Sequence, residues 1–169
     1  MAEDMVHEAT YAQPPEAVWE AIATKAGLDA WMMQNDFVEA KVGHRFTFTD
    51  RPRPFWDGQC PCEVVEADPP RRFVLRWNTR DKHPSTVSFT LTPTGDGGTH
   101  LLFRHSGLTG FMGRMMRMGM DNGWGRMVRH SIPYVAERVA AGGPLPPKAE
   151  VKERSKRLQR ESVATAKAR

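Results

Sequence analysis

The chain has 169 residues, 40% of them hydrophobic and 26% charged, with a formal net charge of +4. That length supports one domain with its own core, no run approaches the ~18 apolar residues of a membrane span, and two cysteines in so long a chain argue against a disulfide framework. The basic balance belongs to an appendage: residues 148–169 hold eight Lys or Arg and three Glu, leaving 16 basic against 17 acidic residues ahead of them. A near-neutral domain argues against nucleic acid as a specific partner. The opening MAEDMVHEAT lacks the charged-then-apolar pattern of a signal peptide, so a cytoplasmic location is expected.

Val6 to Tyr11 alternates weakly and reads as a first strand. Pro14-Pro15 opens a helix, since proline suits a first helical position and Glu16 complements the dipole there. Val18, Trp19, Ile22 and Ala26 share one face, and Gly27 is the expected stop. A second short helical turn, Leu28 to Met33, carries Trp31. Strand candidates follow at Asp36–Ala40, His44–Asp50, Asp57–Asp68, Arg71–Asn78, Ser85–Pro93 and Thr99–Ser106. Alternation places Phe46 and Phe48 on one face, as it does Cys60, Cys62 and Val64. Phe73, Leu75 and Trp77, then Val87, Phe89 and Leu91, then Leu101, Phe103 and His105 align in the same way. Short turns at Pro69-Pro70 and TGDGG join these segments, which predicts an antiparallel meander.

The stretch from Gly110 to Gly143 is the one long segment with helical apolar spacing: Trp124, Met127, Val128, Ser131, Val135 and Val139 form a stripe. Three glycines before Met120 predict that helix only from about Asn122 to Ala141, with Asp121 or Asn122 as its cap. Pro133 predicts a kink near Arg129. Beyond Gly143, a proline linker and a charged segment with three apolar residues (Val151, Leu158, Val163) predict a frayed or loosely helical tail. The class is α+β, with two short helices after the first strand, a sheet of about six or seven strands, and a long helix to cover it.

PPEAVWEAI, Trp31, VGHRFTF, EVVEADPPRRFVLRW, TVSFTLTPTGDGGTHLLFRHSGL and NGWGRMV together resemble a known family. By these motifs the chain is identified as a member of the START-like (SRPBCC) superfamily, in the branch related to the heat-shock chaperone ATPase activator (Aha-type) C-terminal domain. The resemblance covers about Met5 to Ala141 and implies a helix-grip fold over residues 1–143, a curved sheet wrapped around the C-terminal helix with a cavity between. Residues 144–169 lie outside it. It also implies a choice of functions: ligand carriage, chaperone regulation, or cavity catalysis (cyclase, hydrolase or self-sacrificing resistance protein). Fold alone does not choose among these.

Candidate chemistry is sparse. Six of the ten methionines lie between Phe111 and Val128, and their flexible thioethers suit an adaptable pocket entrance. Cys60 and Cys62 read as buried, inert thiols at the far limit of disulfide distance, without the spacing of a metal site. His105, at the end of the last strand, is a candidate polar contact or general base, with Arg76 an alternative contact. No catalytic triad, paired carboxylates or phosphate loop occurs, so no catalytic residues, metal or cofactor are assigned. The expected site is an apolar cavity for a small hydrophobic or amphipathic ligand, non-catalytic, lined by Trp31, Phe48, Cys62, Trp77, Phe89, Phe103, His105, Met120, Trp124, Met127 and Val128. The expected partners are that ligand and, on the second reading, a chaperone or other protein, in a monomer or homodimer.

Overall fold

The computed structural model describes residues 3–168; Met1, Ala2 and Arg169, the last counted in the basic tail, lie outside the described residues. Seven strands form one antiparallel sheet: β1 (Met5–Tyr11), β2 (Gln34–Asn35), β3 (Arg45–Thr49), β4 (Gln59–Asp68), β5 (Arg72–Trp77), β6 (Ser85–Pro93) and β7 (Thr99–Ser106). Their spatial order is β1-β7-β6-β5-β4-β3-β2, so β2 to β7 run as the expected meander and β1 closes against β7. Helices α1 (Pro15–Ala23) and α2 (Lys25–Trp31) follow β1. After the sheet, α3 (Gly110–Arg126) passes through a π-helical turn (Met127–Ser131) into α4 (Ile132–Ala140), and α5 (Lys148–Lys167) ends the chain. This is the helix-grip architecture, a curved sheet with the C-terminal helix laid in its concave face.

The inward faces follow period two, as the alternation requires. Phe46, Phe48, Cys60, Cys62, Val64, Phe73, Leu75, Trp77, Val87, Phe89, Leu91, Leu101 and Phe103 are all buried. Against them the helical layer sets Val18, Ile22, Trp124, Val128, Ile132, Val135 and Ala136. Ring pairs bridge the layers: Phe103 lies 4.4 Å from Trp124 and Trp77 5.6 Å from Trp124, centroid to centroid.

Four local expectations are corrected. Asp36–Ala40 is not a strand, because side chains take the amides that a ladder would pair: Phe37 N donates to Asn35 Oδ1 and Val38 N to His44 Nε2. Asp36 turns its carboxylate to the Thr47 amide instead. Gly27 does not stop α1. The stop is Thr24, whose hydroxyl caps α2 by accepting from Gly27 N at 3.1 Å. Gly27 sits inside α2 where a Cβ would lie 2.2 Å from the Glu20 carbonyl, so close backbone approach requires glycine there.

The long helix starts at Gly110 rather than Asn122. Each interior glycine costs about 1 kcal/mol relative to alanine, but the intervening Met and Arg are good helix formers. Gly113 also lets the helix seat on Leu108, whose backbone would lie 2.5 Å from an added Cβ. Asp121 and Asn122 are therefore mid-helix; Asp121 accepts from His7 Nε2 at 2.8 Å. Finally, the tail is helical over twenty residues, with Val151 and Ser155 each 1% exposed. Tyr134 donates to Glu150, Arg154 stacks 4.5 Å over the Tyr134 ring, and Gln159 donates to Asn122 at 2.7 Å.

The irregularity near Arg129 falls where the proline predicts it. Pro133 has no amide to give the Arg129 carbonyl and its ring crowds that carbonyl, so the helix widens by one residue. Ile132 N then donates to Met127 O instead of Val128 O. The freed Val128 carbonyl accepts from the buried Tyr11 hydroxyl of β1, which ties the π turn to the sheet edge.

Candidate functional site

The aromatic interior is packed nearly solid: the void among Trp31, Phe48, Phe89 and Trp124 is only about 10 Å³. The open space lies at one end of the sheet, where a cleft of about 620 Å³ is bounded by α2, the β3–β4 loop, β5, the α3–π segment and α5. Its volume falls in the range typical of small-molecule sites. Trp31, Trp77, Met120, Trp124 and Met127 line it, with Met32, Met33, Trp56, Cys60 and Met116. Four of the chain's five tryptophans thus meet at this wall.

Six expected lining residues stand elsewhere. Phe48, Phe89, Phe103 and Val128 are core side chains behind the wall. Cys62 faces inward one register step deeper than Cys60, opposite Phe46 and Trp77, and its sulfur lies 3.9 Å from that of Cys60. A hydrogen bond with Cys60 and burial push the Cys62 thiol up, away from the reactive thiolate. His105 is fully buried, 5.8 Å from Trp77 and 6.2 Å from Trp124 between ring centroids. Its Nε2 lies 2.8 Å from Ser85 Oγ, and burial lowers its pKa to about 4, so the ring is neutral in the core. It does not reach the cleft. Arg76 is on the outer sheet face, paired with Glu63 at 3.3 Å.

Two segments that sequence reasoning left out of the site altogether contribute to the lining. The β3–β4 loop contributes Asp50, Arg53, Pro54 and Trp56. It is held by Gly58, where a Cβ would meet the Asp50 carbonyl at 2.3 Å, and by Asp57, which accepts from Arg80 at 2.6 and 3.1 Å. That guanidinium lowers the Asp57 carboxyl to about 2. Helix α5 contributes Lys148, Lys152 and Ser155. Its signal was present as Val151 and Leu158 at helical spacing with the small Ser155 between them, a narrow uncharged stripe amid charge. Among the described residues, no group of three or more His, Cys, Asp or Glu is placed to hold a metal ion. No described helix is long and apolar enough to cross a membrane.

Residues 12–135 match the profile of a family described as activator of Hsp90 ATPase homolog 1-like protein. The chain belongs to this family. Among solved structures, protein MLL2253 from Mesorhizobium loti is similar at 30% identity and a TM-score of 0.66, over 83% of this chain and 98% of that one. Bacillus halodurans protein BH1534 is similar at 29% identity and a TM-score of 0.66, over 80% and 97%. The Aha1 dimer from Colwellia psychrerythraea, at 16% identity and a TM-score of 0.62 over 83% and 98%, shares the fold. Among curated proteins none matches this chain. The START-like, Aha-type membership expected from the motifs is thus established, and α5 lies beyond the matched Aha-type segment.

Proposed function

We propose that this protein binds a small hydrophobic or amphipathic ligand in the end cleft, without catalysis, in the cytoplasm. The observation that carries the reading is the cleft wall itself: Trp31, Trp56, Trp77 and Trp124 with five methionines around about 620 Å³. Aromatic faces supply rigid apolar area, and thioethers adapt to differently shaped ligands. Met116 and Met120, one helical turn apart on α3, form the adaptable side of the mouth. Catalysis is disfavoured because the one buried histidine stands behind the wall.

Titration with a panel of apolar and amphipathic small molecules tests this. Saturable shifts of tryptophan emission are expected with some of them, reduced in amplitude in Trp124→Phe. A flat response across the panel defeats the proposal.

A second reading, regulation of a chaperone ATPase, draws on the family and on one surface. Phe111, Met112, Met115 and Met118 leave the outer face of α3 apolar and exposed, beside Arg114 and Arg117. Exposed patches of this kind mark interaction sites. On this reading the protein raises the ATPase rate of its host's Hsp90, and Met112→Glu with Met115→Glu removes the stimulation. Unchanged ATPase with the native protein rejects it.

A further inference from the structure

The cleft is apolar on one side and cationic on the other. Five charged side chains line it: Asp50, Arg53, Arg126, Lys148 and Lys152. Asp50 and Arg53 pair with each other at 3.6 Å. Among the described residues, Arg126, Lys148 and Lys152 enter no ion pair. The Nε of Arg126 is buried and has no hydrogen-bond partner among the described residues. A buried donor left unmade is costly, and more so on a charged group.

Lys148 and Lys152 stand four residues apart on α5, the spacing at which like charges on a helix face repel. Burial lowers the Lys148 pKa; the Asp50 and Asp29 carboxylates act against that and Lys152 adds to it. Three cations outside any ion pair, facing a wall of tryptophan and methionine, describe half of a recognition site.

We propose that the cleft takes an amphipathic molecule with an anionic head, a carboxylate or a phosphate, seated between Arg126, Lys148 and Lys152. The apolar body lies on Trp31, Trp124 and Met127. This rests on the reading of the cleft as a ligand site and adds the chemistry of the ligand. The anion brings oxygen acceptors to the unpaired Arg126 donor and relieves the repulsion along α5. Both lysines belong to a helix outside the segment that matches the family, whereas Arg126 lies within it.

Dissociation constants read from tryptophan emission for decanoate, decyl phosphate and decanol, each below its aggregation threshold, provide the test. The full chain is expected to bind at least one anion about tenfold more tightly than decanol, charge-assisted hydrogen bonds being the difference. Which anion wins identifies the head. In a Lys148→Gln, Lys152→Gln variant the anion is expected to bind about as weakly as decanol, while decanol binding is unchanged. Arg126→Gln is expected to act in the same direction, and added salt to narrow the gap. Circular dichroism checks that each variant is folded.

Equal binding of all three probes by the native protein, or equal weakening of all three in the double variant, overturns the anionic seat and leaves the apolar cleft standing. No saturable signal with any probe overturns both.

Discussion

His105 shows how one residue's surroundings decide its role. At the end of β7 its position suits a ligand contact, yet the turn of the sheet puts it beneath Trp77 and Trp124 with Ser85 as partner. Burial holds its folded pKa near 4 against an ordinary 6.5, with the Asp4 carboxylate opposing weakly. Between those values the unfolded chain binds a proton that the folded protein excludes, so stability falls as pH drops through that window. The contribution is complete above about pH 6.5 and on the order of 3 kcal/mol is lost by pH 4. Denaturant unfolding at pH 7 and pH 4.5 is expected to show this decline, and His105→Gln to flatten it. His130, also lowered by burial, acts in the same direction, so the comparison between native and variant isolates His105. An unchanged pH slope in the variant contradicts the assignment.

At the scale of elements, α5 is the feature that separates expectation from outcome. A 20-residue helix with so few apolar residues has little intrinsic reason to dock. It docks through specific contacts: Val151 enters the core, Ser155 is buried and gives its hydroxyl to the Lys152 carbonyl, and Arg154 covers the Tyr134 ring. Val151→Asp buries an unpaired carboxylate, worth about 2–4 kcal/mol if the helix stays in place. The cheaper response is local undocking. Hydrogen exchange is therefore expected to accelerate across residues 148–167 while the β5–β7 amides remain protected, and ligand affinity to fall with it. Global loss of protection instead shows that α5 and the sheet unfold as one unit. The α3–π–α4 run carries a related lesson. Pro133 announces an irregularity in any helix, but its form, a π turn whose spare carbonyl takes the Tyr11 hydroxyl, depends on β1 being alongside.

For the whole molecule, the sheet was legible because each strand repeats one signal. Phe73-Leu75-Trp77 and Val87-Phe89-Leu91 alternate with polar residues, and a single register satisfies all of them, since a slip by one residue would turn every apolar side chain outward. The two short helices, the meander and the covering helix follow from that pattern and from the turn residues. The cleft was only half legible. Trp31, Trp77, Met120, Trp124 and Met127 were expected there and stand there, because they are the inward residues nearest the open end. Phe48, Cys62, Phe89, Phe103, His105 and Val128 carry the same periodic signal but sit deeper, where the rings close on one another and leave no room. Periodicity reports which face a side chain occupies and is silent on its depth along that face. The sequence by itself determined the α+β class, the inward faces and the family. Where the core stops and the cleft begins, and that Lys148, Lys152 and the Arg53–Trp56 loop border it, was decided only by tertiary structure. Those residues come from segments far apart in the chain, each polar enough to read as surface, and nothing local encodes that they meet around one apolar wall.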